Sequence, residues 1–330
     1  MNLRTEIVVR PASWSLGLRD TVLTIGSCFA ETIGLRLASC KFQTLANPFG
    51  TVYHPQAIHK QLSYAVYQEY PPDHTYLENQ GIAYNYDFHS SQSSLKLTSL
   101  QSKLHEQIGI AHYALKNCKL LMLTYGTAWL YERKDTGETV ANCHKMNASF
   151  FSKRLATVDE INISSRNSIE SILAINPQLK IILTVSPVRH IKDTLSQNNL
   201  SKSVLRVACH NMAEAFPCTE YFPAYEIMVD DLRDYRFYKN DLIHPTTLAE
   251  NYIWAKFSET YFNKDTRAFI KQWDEIRTAL HHKPFHPEGQ AHQQFLAKTL
   301  ANLENLKPVV NVDREIKEIK SRMIEYQHDR

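Results

Sequence analysis

Two potential nucleophiles stand side by side in the segment TVLTIGSCFAETIG, residues 21–34. The apolar run ends at Gly26, Ser27 and Cys28 follow, and apolar residues then recur every four positions. This pattern predicts a strand, a sharp corner and a helix with one buried face. A hydroxyl or thiol at such a corner can attack an acyl group when a neighbouring base accepts its proton. The ordinary alternative is a serine that caps the helix beside a buried cysteine.

An acid and a histidine three residues apart occur late in the chain, in the segment DLIH, residues 241–244. At this spacing Asp241 and His244 project to the same side of a turn or of a first helical coil. The carboxylate can hold one imidazole nitrogen as an N–H donor and leave the other nitrogen free as a general base. Together with Ser27 or Cys28, the pair predicts a site for acyl transfer.

Short apolar runs, each followed by turn residues and a helical pattern, recur along the chain. The predicted strands are TVLTI (21–25), KFQTL (41–45), KLLMLTY (119–125), KIILTVS (180–186) and YEIMV (225–229). Near-continuous apolar strands that alternate with helices are typical of a parallel sheet covered on both faces. We therefore expect an α/β fold, a three-layer α/β/α sandwich with a mainly parallel, doubly wound sheet.

Functional groups are expected at the carboxyl ends of these strands, where open α/β sheets bind their ligands. The segments 76–97 and 129–142 interrupt the strand–helix rhythm with hairpin-like patterns and are predicted to wall this crevice. Polar and small residues near the crevice are candidates for binding substrate. They are Tyr125, Gly126, His144 and His190. For the two histidines, solvent-facing or capping roles are the alternative.

Composition excludes several classes of function. The chain has 330 residues and a formal net charge of +3, which gives no electrostatic reason to expect nucleic acid or an anionic membrane as partner. No apolar stretch is long enough to span a bilayer, and charges interrupt the first 20 residues where a signal peptide would be apolar. The six cysteines show no CxxC spacing, which indicates reduced thiols, a cytoplasmic location, and neither metal nor cofactor.

The pattern changes near residue 265. The segments 288–306 and 311–327 are charged, amphipathic and helical in pattern, with Pro308 between them. We divide the chain into a catalytic-type domain, 1–264, and a C-terminal helical extension, 265–330. The extension is expected to pack on the core domain or on another subunit. In the second case the protein would be a homo-oligomer.

The segment Gly26-Ser27-Cys28-Phe29-Ala30 resembles the signature of the GSCFA family, a branch of the SGNH/GDSL hydrolase superfamily. Further blocks that resemble the family are Asn47-Pro48-Phe49-Gly50, Tyr125-Gly126-Thr127-Ala128-Trp129, Asn142-Cys143-His144-Lys145, Ser186-Pro187-Val188-Arg189-His190, Tyr221-Phe222-Pro223-Ala224-Tyr225-Glu226 and Asp241-Leu242-Ile243-His244-Pro245. The resemblance covers roughly residues 20 to 260. It implies a flavodoxin-like SGNH fold and the hydrolysis of an ester or O-acyl group on a carbohydrate or small metabolite.

The resemblance also implies an oxyanion hole built from a Gly block, an Asn block and the N–H of the nucleophile. Gly50 matches the Gly block by position after the second strand. Where the superfamily has Gly-x-Asn-Asp, the chain has Gly-Thr-Ala-Trp from Gly126 onward. Asn142 is the candidate replacement, although it is equally suited to ending a hairpin. Loss of one oxyanion donor typically lowers the rate by ~10²–10³.

Alignment on the glycine with the superfamily's Gly-Asp-Ser places Cys28 in the nucleophile position, and a helix N-terminus favours its thiolate. A shift of one residue makes Ser27 the nucleophile with His244 as base, so both remain open. Hydrolysis and acyl transfer are also both open. Two other classes compete: a ligand-binding protein that keeps the crevice without catalysis, and a thiol redox or metal site formed by Cys28, Cys143 and His144.

Overall fold

The computed structural model describes residues 5–323. The helices and strands are β1 (Thr21–Gly26), α1 (Cys28–Ser39), β2 (Gln43–Ala46), α2 (Pro55–Tyr67), β3 (Tyr76–Asn79), β4 (Ile82–Asn85), α3 (Leu97–Asn117), β5 (Leu120–Tyr125), β6 (Trp129–Arg133), β7 (Thr139–Val140), β8 (Phe151–Leu155), α4 (Val158–Ile175), β9 (Lys180–Val185), α5 (Thr194–Ala215), β10 (Thr219–Tyr221), α6 (Ala224–Glu226), α7 (Thr247–Tyr261), α8 (Lys264–His281), α9 (Gln290–Leu306) and α10 (Asp313–Arg322).

Five strands form one parallel sheet in the order β10-β9-β5-β1-β2. Alternate residues of β1 enter two apolar clusters: Leu23 packs with α2 to α5 on one face, and Val22 packs with α1 and the C-terminal helices on the other. The α/β, three-layer, doubly wound arrangement is therefore confirmed, with a C-terminal helical region. Strand order reverses between β1 and β5, and such a switch point opens a crevice at the carboxyl ends of the strands.

The first four predicted strands are confirmed with shifts of one or two residues at their ends. The fifth prediction is wrong, because YEIMV lies in α6 and in the π-helical turn Ile227–Leu232. The last strand is instead β10, which pairs with β9. A short apolar run fits a buried strand and a buried helical turn equally well. Here Ile227 and Met228 have a helical backbone, and both side chains are fully buried.

Two small antiparallel sheets include the segments predicted to interrupt the rhythm, 76–97 and 129–142, and the second sheet adds β8 from beyond them. Strands β3 and β4 form a hairpin, and β6 pairs with both β7 and β8. Residues from β6, β7 and β8 line the crevice described below. The predicted role of 129–142 as a wall agrees with this placement.

The C-terminal helices pack on the α1 side of the sheet. Trp273 of α8 is buried and donates its indole N–H to the Ser39 carbonyl at the end of α1, 2.8 Å away. The predicted tail helices correspond to α9 and α10, while residues 324–327 of the second prediction lie outside the described residues. The domain division and the homo-oligomer stay predictions. Within residues 5–323, no helix has the length and apolar character needed to cross a membrane.

Candidate active site

The corner between β1 and α1 is fixed by its backbone. Gly26 has φ +137°, and a Cβ there would lie 2.2 Å from the Thr124 carbonyl oxygen, so only glycine fits. Asn47, which follows β2, accepts the Gly26 N–H with its Oδ1 at 2.9 Å and donates its amide to the Ser27 carbonyl at 3.4 Å. Neighbouring strands therefore hold the residues after Gly26 in place.

Ser27 is the N-cap of α1. Its side-chain oxygen is buried and accepts the Phe29 N–H at 3.3 Å, which is the usual role of a serine at this position. Its side chain does not line the crevice. The structure thus places the Ser27 hydroxyl inside the protein.

Cys28 is half-buried and lines a cavity of about 600 Å³ at the carboxyl end of the sheet. Burial raises the pKa of its thiol, and three groups oppose that rise. They are the Lys202 ammonium and the backbone N–H groups of Cys28 and Phe29 at the start of α1. The thiol, rather than the neighbouring hydroxyl, therefore faces the space that a substrate can enter.

His244 lines the same cavity and is held by Asp241. The distance between His244 Nδ1 and Asp241 Oδ2 is 2.7 Å, and Asp241 Oδ1 accepts the backbone N–H groups of Ile243 and His244 at 2.9 and 3.0 Å. These backbone bonds, followed by the His244 side chain, lower the pKa of Asp241. The carboxylate fixes the ring by its Nδ1 and leaves Nε2 without a partner among the described residues, as a general base requires.

His190 is the second histidine of the cavity lining. Its Nε2 is buried without a partner in the described part of the chain, and its ring meets Tyr53 edge-on at 5.1 Å between centroids. Burial lowers its pKa to about 3, so the ring is neutral at physiological pH. A neutral imidazole with a free nitrogen suits a hydrogen bond to substrate.

Tyr125 and His144 do not reach the cavity, which corrects their predicted role in binding substrate. Tyr125 is buried, and its hydroxyl lies 2.7 Å from His59 Nε2. The His144 ring stacks on Tyr84, with 4.7 Å between ring centroids, and its Nε2 lies 2.8 Å from the Asn85 carbonyl oxygen. Both side chains are satisfied inside the protein and stabilise its packing.

The two glycines are also outside the cavity lining. The Gly50 N–H donates to the Asn47 carbonyl at 2.8 Å, so it is not free for an oxyanion. Gly50 has φ +80°, and its Cα faces His89, whose Cβ would lie 2.6 Å from an added Cβ. Gly126 donates its N–H to the Tyr53 carbonyl at 2.7 Å. Both glycines form backbone hydrogen bonds near the crevice, and neither lines the cavity.

Asn142 does line the cavity. Its Oδ1 accepts the His144 N–H at 2.8 Å, which orients the amide, and its Nδ2 has no partner among the described residues. Cys143 lies beside it in the lining, while His144 turns away as described. Within residues 5–323, no group of three or more His, Cys, Asp or Glu side chains is arranged to hold a metal ion.

The sequence prediction missed Lys202, a side chain of α5 that is only 1% exposed. Its ammonium donates to the Gly126 carbonyl at 2.7 Å and to the Ser186 carbonyl at 2.8 Å. Burial lowers the pKa of this group to about 7, against the opposing effect of Cys28. A signal was present, because Lys202 lies three residues before buried Leu205 and so on the apolar face of a predicted helix.

Fold and site together define a doubly wound α/β protein whose crevice brings a cysteine and an Asp–His pair to the carboxyl ends of its strands. The chain belongs to the GSCFA family, whose model matches residues 21–257. A second model, described as the C-terminal domain of GSCFA domain proteins, matches residues 273–325.

Among solved structures, a carbohydrate esterase family 3 protein from Talaromyces cellulolyticus aligns with 10% sequence identity and a TM-score of 0.30, covering 78% of this chain and 99% of that chain. No match was found among curated proteins.

Proposed function

We propose that this protein hydrolyses acyl esters with Cys28 as nucleophile, His244 as general base and Asp241 as the residue that orients the histidine. The observation that carries the proposal is that Cys28 and His244 line one cavity, while Ser27 is committed to capping α1. The substrate class is a small O-acylated metabolite or carbohydrate. We also place the protein in the cytoplasm, since all six cysteines are unpaired.

The chemistry follows the roles of these side chains. His244 accepts the proton of the Cys28 thiol, the sulfur attacks the acyl carbon to form a C–S bond, and the C–O bond to the leaving alcohol breaks. His244 delivers a proton to the departing oxygen, then takes one from a water molecule that attacks the thioester. The second step releases the carboxylic acid and regenerates Cys28.

Stabilisation of the oxyanion is assigned to Asn142. Asn142 lines the same cavity as Cys28, and its amide is oriented by the bond that its oxygen accepts. The N-terminus of α1 adds a favourable field at the sulfur, because its first N–H groups are not paired within the helix. These donors replace the Gly50 N–H, which is occupied.

The walls of the cavity suit a ring-shaped or acyl substrate. Tyr53 and Trp129 provide aromatic surface, and Lys153 lies 5.2 Å from the Trp129 ring centroid. Aromatic faces pack well against apolar groups and keep a polar edge available. Because His244 is 42% exposed, water has access to the acyl group, which favours hydrolysis over transfer.

A second candidate is a ligand-binding protein that keeps the crevice without catalysis. One observation favours it: the Gly50 N–H, expected in the oxyanion hole, donates to Asn47 instead. Under this alternative a ligand would bind the cavity, and no ester would be turned over at a rate that depends on Cys28.

The test compares wild type, Cys28→Ala, His244→Ala and Cys143→Ala on p-nitrophenyl acetate and a panel of acetylated sugars. Cys143→Ala is the matched control, because it removes another thiol of the same cavity. We expect Cys28→Ala and His244→Ala to lower kcat/KM by about 10⁴-fold or more, while Cys143→Ala stays within a few-fold of wild type. Equal inactivity of all four proteins supports the binding alternative, and full activity of Cys28→Ala contradicts the assigned nucleophile.

A further inference from the structure

The segment 239–244, the His244 loop, carries the Asp–His pair just before α7, and most of its residues are exposed. Its base is closed by two backbone bonds: the Lys239 N–H donates to the His244 carbonyl, and the Leu242 N–H donates to the Lys239 carbonyl, both at 2.8 Å. Asp241 accepts two further N–H groups of the same loop. These bonds give the loop its shape. They do not fix its position relative to the sheet, because donor and acceptor both lie within it.

Arg189, four residues beyond the end of β9, connects the His244 loop to the main sheet. Its backbone N–H donates to the Ile243 carbonyl, and its guanidinium Nη1 donates to the Leu242 carbonyl, both at 3.3 Å. Within residues 5–323, every hydrogen bond between the His244 loop and the rest of the chain comes from Arg189. The position of the loop over the crevice is therefore set by Arg189 and by the two chain ends of the loop.

Two tyrosine rings hold the Arg189 side chain in this orientation. The Arg189 Cζ lies 3.8 Å from the Tyr238 ring centroid and 5.3 Å from the Tyr235 ring centroid. Tyr238 is buried, so the ring that the guanidinium covers is itself fixed. A planar guanidinium can stack on an aromatic face while its edge donates a hydrogen bond, and an ammonium lacks this plane.

The backbone of Leu242 is strained at the point where Arg189 binds it. Leu242 has φ +59°, in the left-handed region that a leucine rarely adopts. Such a conformation persists only where the surrounding contacts enforce it. The carbonyl that accepts the guanidinium N–H belongs to this residue. The bond from Arg189 therefore stabilises the part of the loop that would otherwise relax.

We infer that Arg189 fixes the His244 loop to the end of β9, and that this attachment presents the His244 ring to the cavity that Cys28 also lines. The inference deepens the proposed function and rests on it for its catalytic meaning. Arg189 acts through His244 and is therefore a positioning residue rather than a catalytic one. Because Arg189 also lines the cavity, a direct contact with an anionic substrate is the competing role, and the experiment separates the two.

Loss of the Arg189 side chain should release the loop and leave the domain folded. Arg189→Met removes the bond to Leu242 and the contacts with two rings, while the backbone bond to Ile243 remains. A hydrogen bond from a charged group and a cation–π contact are together worth about tenfold or more in an equilibrium. We therefore expect the amides of Leu242, Ile243 and His244 to exchange with solvent about tenfold or more faster in Arg189→Met.

The rate of ester hydrolysis gives a second readout. A displacement of about 1 Å can cost about 10²-fold in rate. We expect kcat of Arg189→Met on p-nitrophenyl acetate to fall by about 10–10²-fold, with KM within about threefold of wild type. Arg189→Lys keeps the charge but cannot stack as a plane on Tyr238, so it should be intermediate in both amide exchange and kcat.

The experiment measures hydrogen–deuterium exchange by mass spectrometry on peptides that cover residues 238–246, and initial rates in parallel. Arg236→Met is the matched control. The Arg236 Cζ lies 5.3 Å from the Phe237 ring centroid and its Nε lies 3.6 Å from Asp234 Oδ2, and it forms no hydrogen bond with the His244 loop among the described residues. This variant should leave exchange and kcat close to wild type. Circular dichroism checks the folding of each variant.

Unchanged exchange of the His244 loop in folded Arg189→Met overturns the inference, as does a wild-type loop whose amides show no protection. An equal acceleration in Arg236→Met overturns it as well, because it would show general loosening. So does a raised KM with unchanged kcat and exchange, which is the result expected of a substrate contact. If Arg189→Met does not fold, Arg189→Lys decides: its loop must exchange faster than that of wild type, and an unchanged profile overturns the inference.

Amide exchange is measured without an ester. A protein that hydrolyses nothing on the panel while its His244 loop responds to Arg189 refutes the proposed function and keeps the attachment. A protein that hydrolyses esters through Cys28 while the loop ignores Arg189 keeps the function and refutes the inference.

Discussion

Replacement of Ser27 by alanine separates the two adjacent candidates for nucleophile. The change removes the hydroxyl that accepts the Phe29 N–H at 3.3 Å. It leaves the backbone of the corner intact, because the Ser27 N–H donates to the Thr124 carbonyl and the Ser27 carbonyl accepts from Asn47. The Cys28 thiol keeps its place in the cavity. Ser27→Ala should therefore lower stability and spare activity.

The magnitude follows from the capping bond. Loss of a serine N-cap costs about 0.5–2 kcal/mol of folding free energy. The Ser27–Phe29 contact is long at 3.3 Å, which places this cap toward the lower part of the range. A loss of about 1 kcal/mol lowers Tm by about 2–4 °C in a domain of this order of size. We expect kcat/KM on a reactive ester to stay within about twofold, because the transition state loses no contact.

The assay combines a thermal melt with initial rates on p-nitrophenyl acetate. Ser39→Ala is the matched control, because this serine lies at the other end of α1 and its hydroxyl donates to the Arg36 carbonyl at 2.8 Å. It should leave both Tm and activity close to wild type. The reasoning is refuted if Ser27→Ala keeps its Tm but loses hydrolysis, with Cys28→Ala still active.

Three further substitutions test the corner, the Asp–His pair and the oxyanion donor. Gly26→Ala places a Cβ 2.2 Å from the Thr124 oxygen and should lower the free energy of unfolding, measured in urea, by about 2 kcal/mol or more. An unchanged urea midpoint contradicts the requirement for glycine at this corner. Asp241→Asn should lower kcat by about 10²–10⁴ with little change in Tm, because it alters the partner of His244 Nδ1; steady-state rates show this, and wild-type kcat contradicts it. Asn142→Ala should lower kcat by about 10²–10³ without raising KM, and an unchanged kcat removes its oxyanion role.

The main sheet follows from the sequence because its central strands are buried on both faces. Continuous apolar runs in β1, β5 and β9 suit the middle of a sheet that is covered on both faces. The periodicity of α1 and α3 likewise defines their buried faces. The edge strand β10 has only three residues, of which one is buried, so its pattern is too weak to compete with YEIMV.

Tyr125 was predicted to bind substrate because it ends β5, but its side chain is buried. Tyr125 lies on the same face of β5 as Leu121 and Leu123, which the alternation of a strand requires, and that face is the core. Its polar group therefore meets His59 rather than a substrate. Alternation was visible in the sequence and would have corrected the prediction.

Local sequence patterns do not predict contacts that form where the chain turns back on itself. The Gly50 N–H is not free, because it donates to the Asn47 carbonyl. His144 turns inward, and its backbone adopts a positive φ of 48°. Lys202 required a tertiary argument as well. Its helical spacing places it on a buried face, but only the structure shows that its ammonium donates to the Gly126 and Ser186 carbonyls.

The central claim is that Cys28 carries the acyl group, and trapping that group tests it most directly. Wild type and His244→Ala are mixed with p-nitrophenyl acetate, quenched in acid within the first turnover, and mapped by peptide mass spectrometry. We predict one acetyl group on Cys28 that neutral hydroxylamine removes, as a thioester requires, with Cys143 of the same cavity unmodified. An acetyl group on Ser27, or equal labelling of Cys28 and Cys143, would contradict the assignment of Cys28 as the nucleophile.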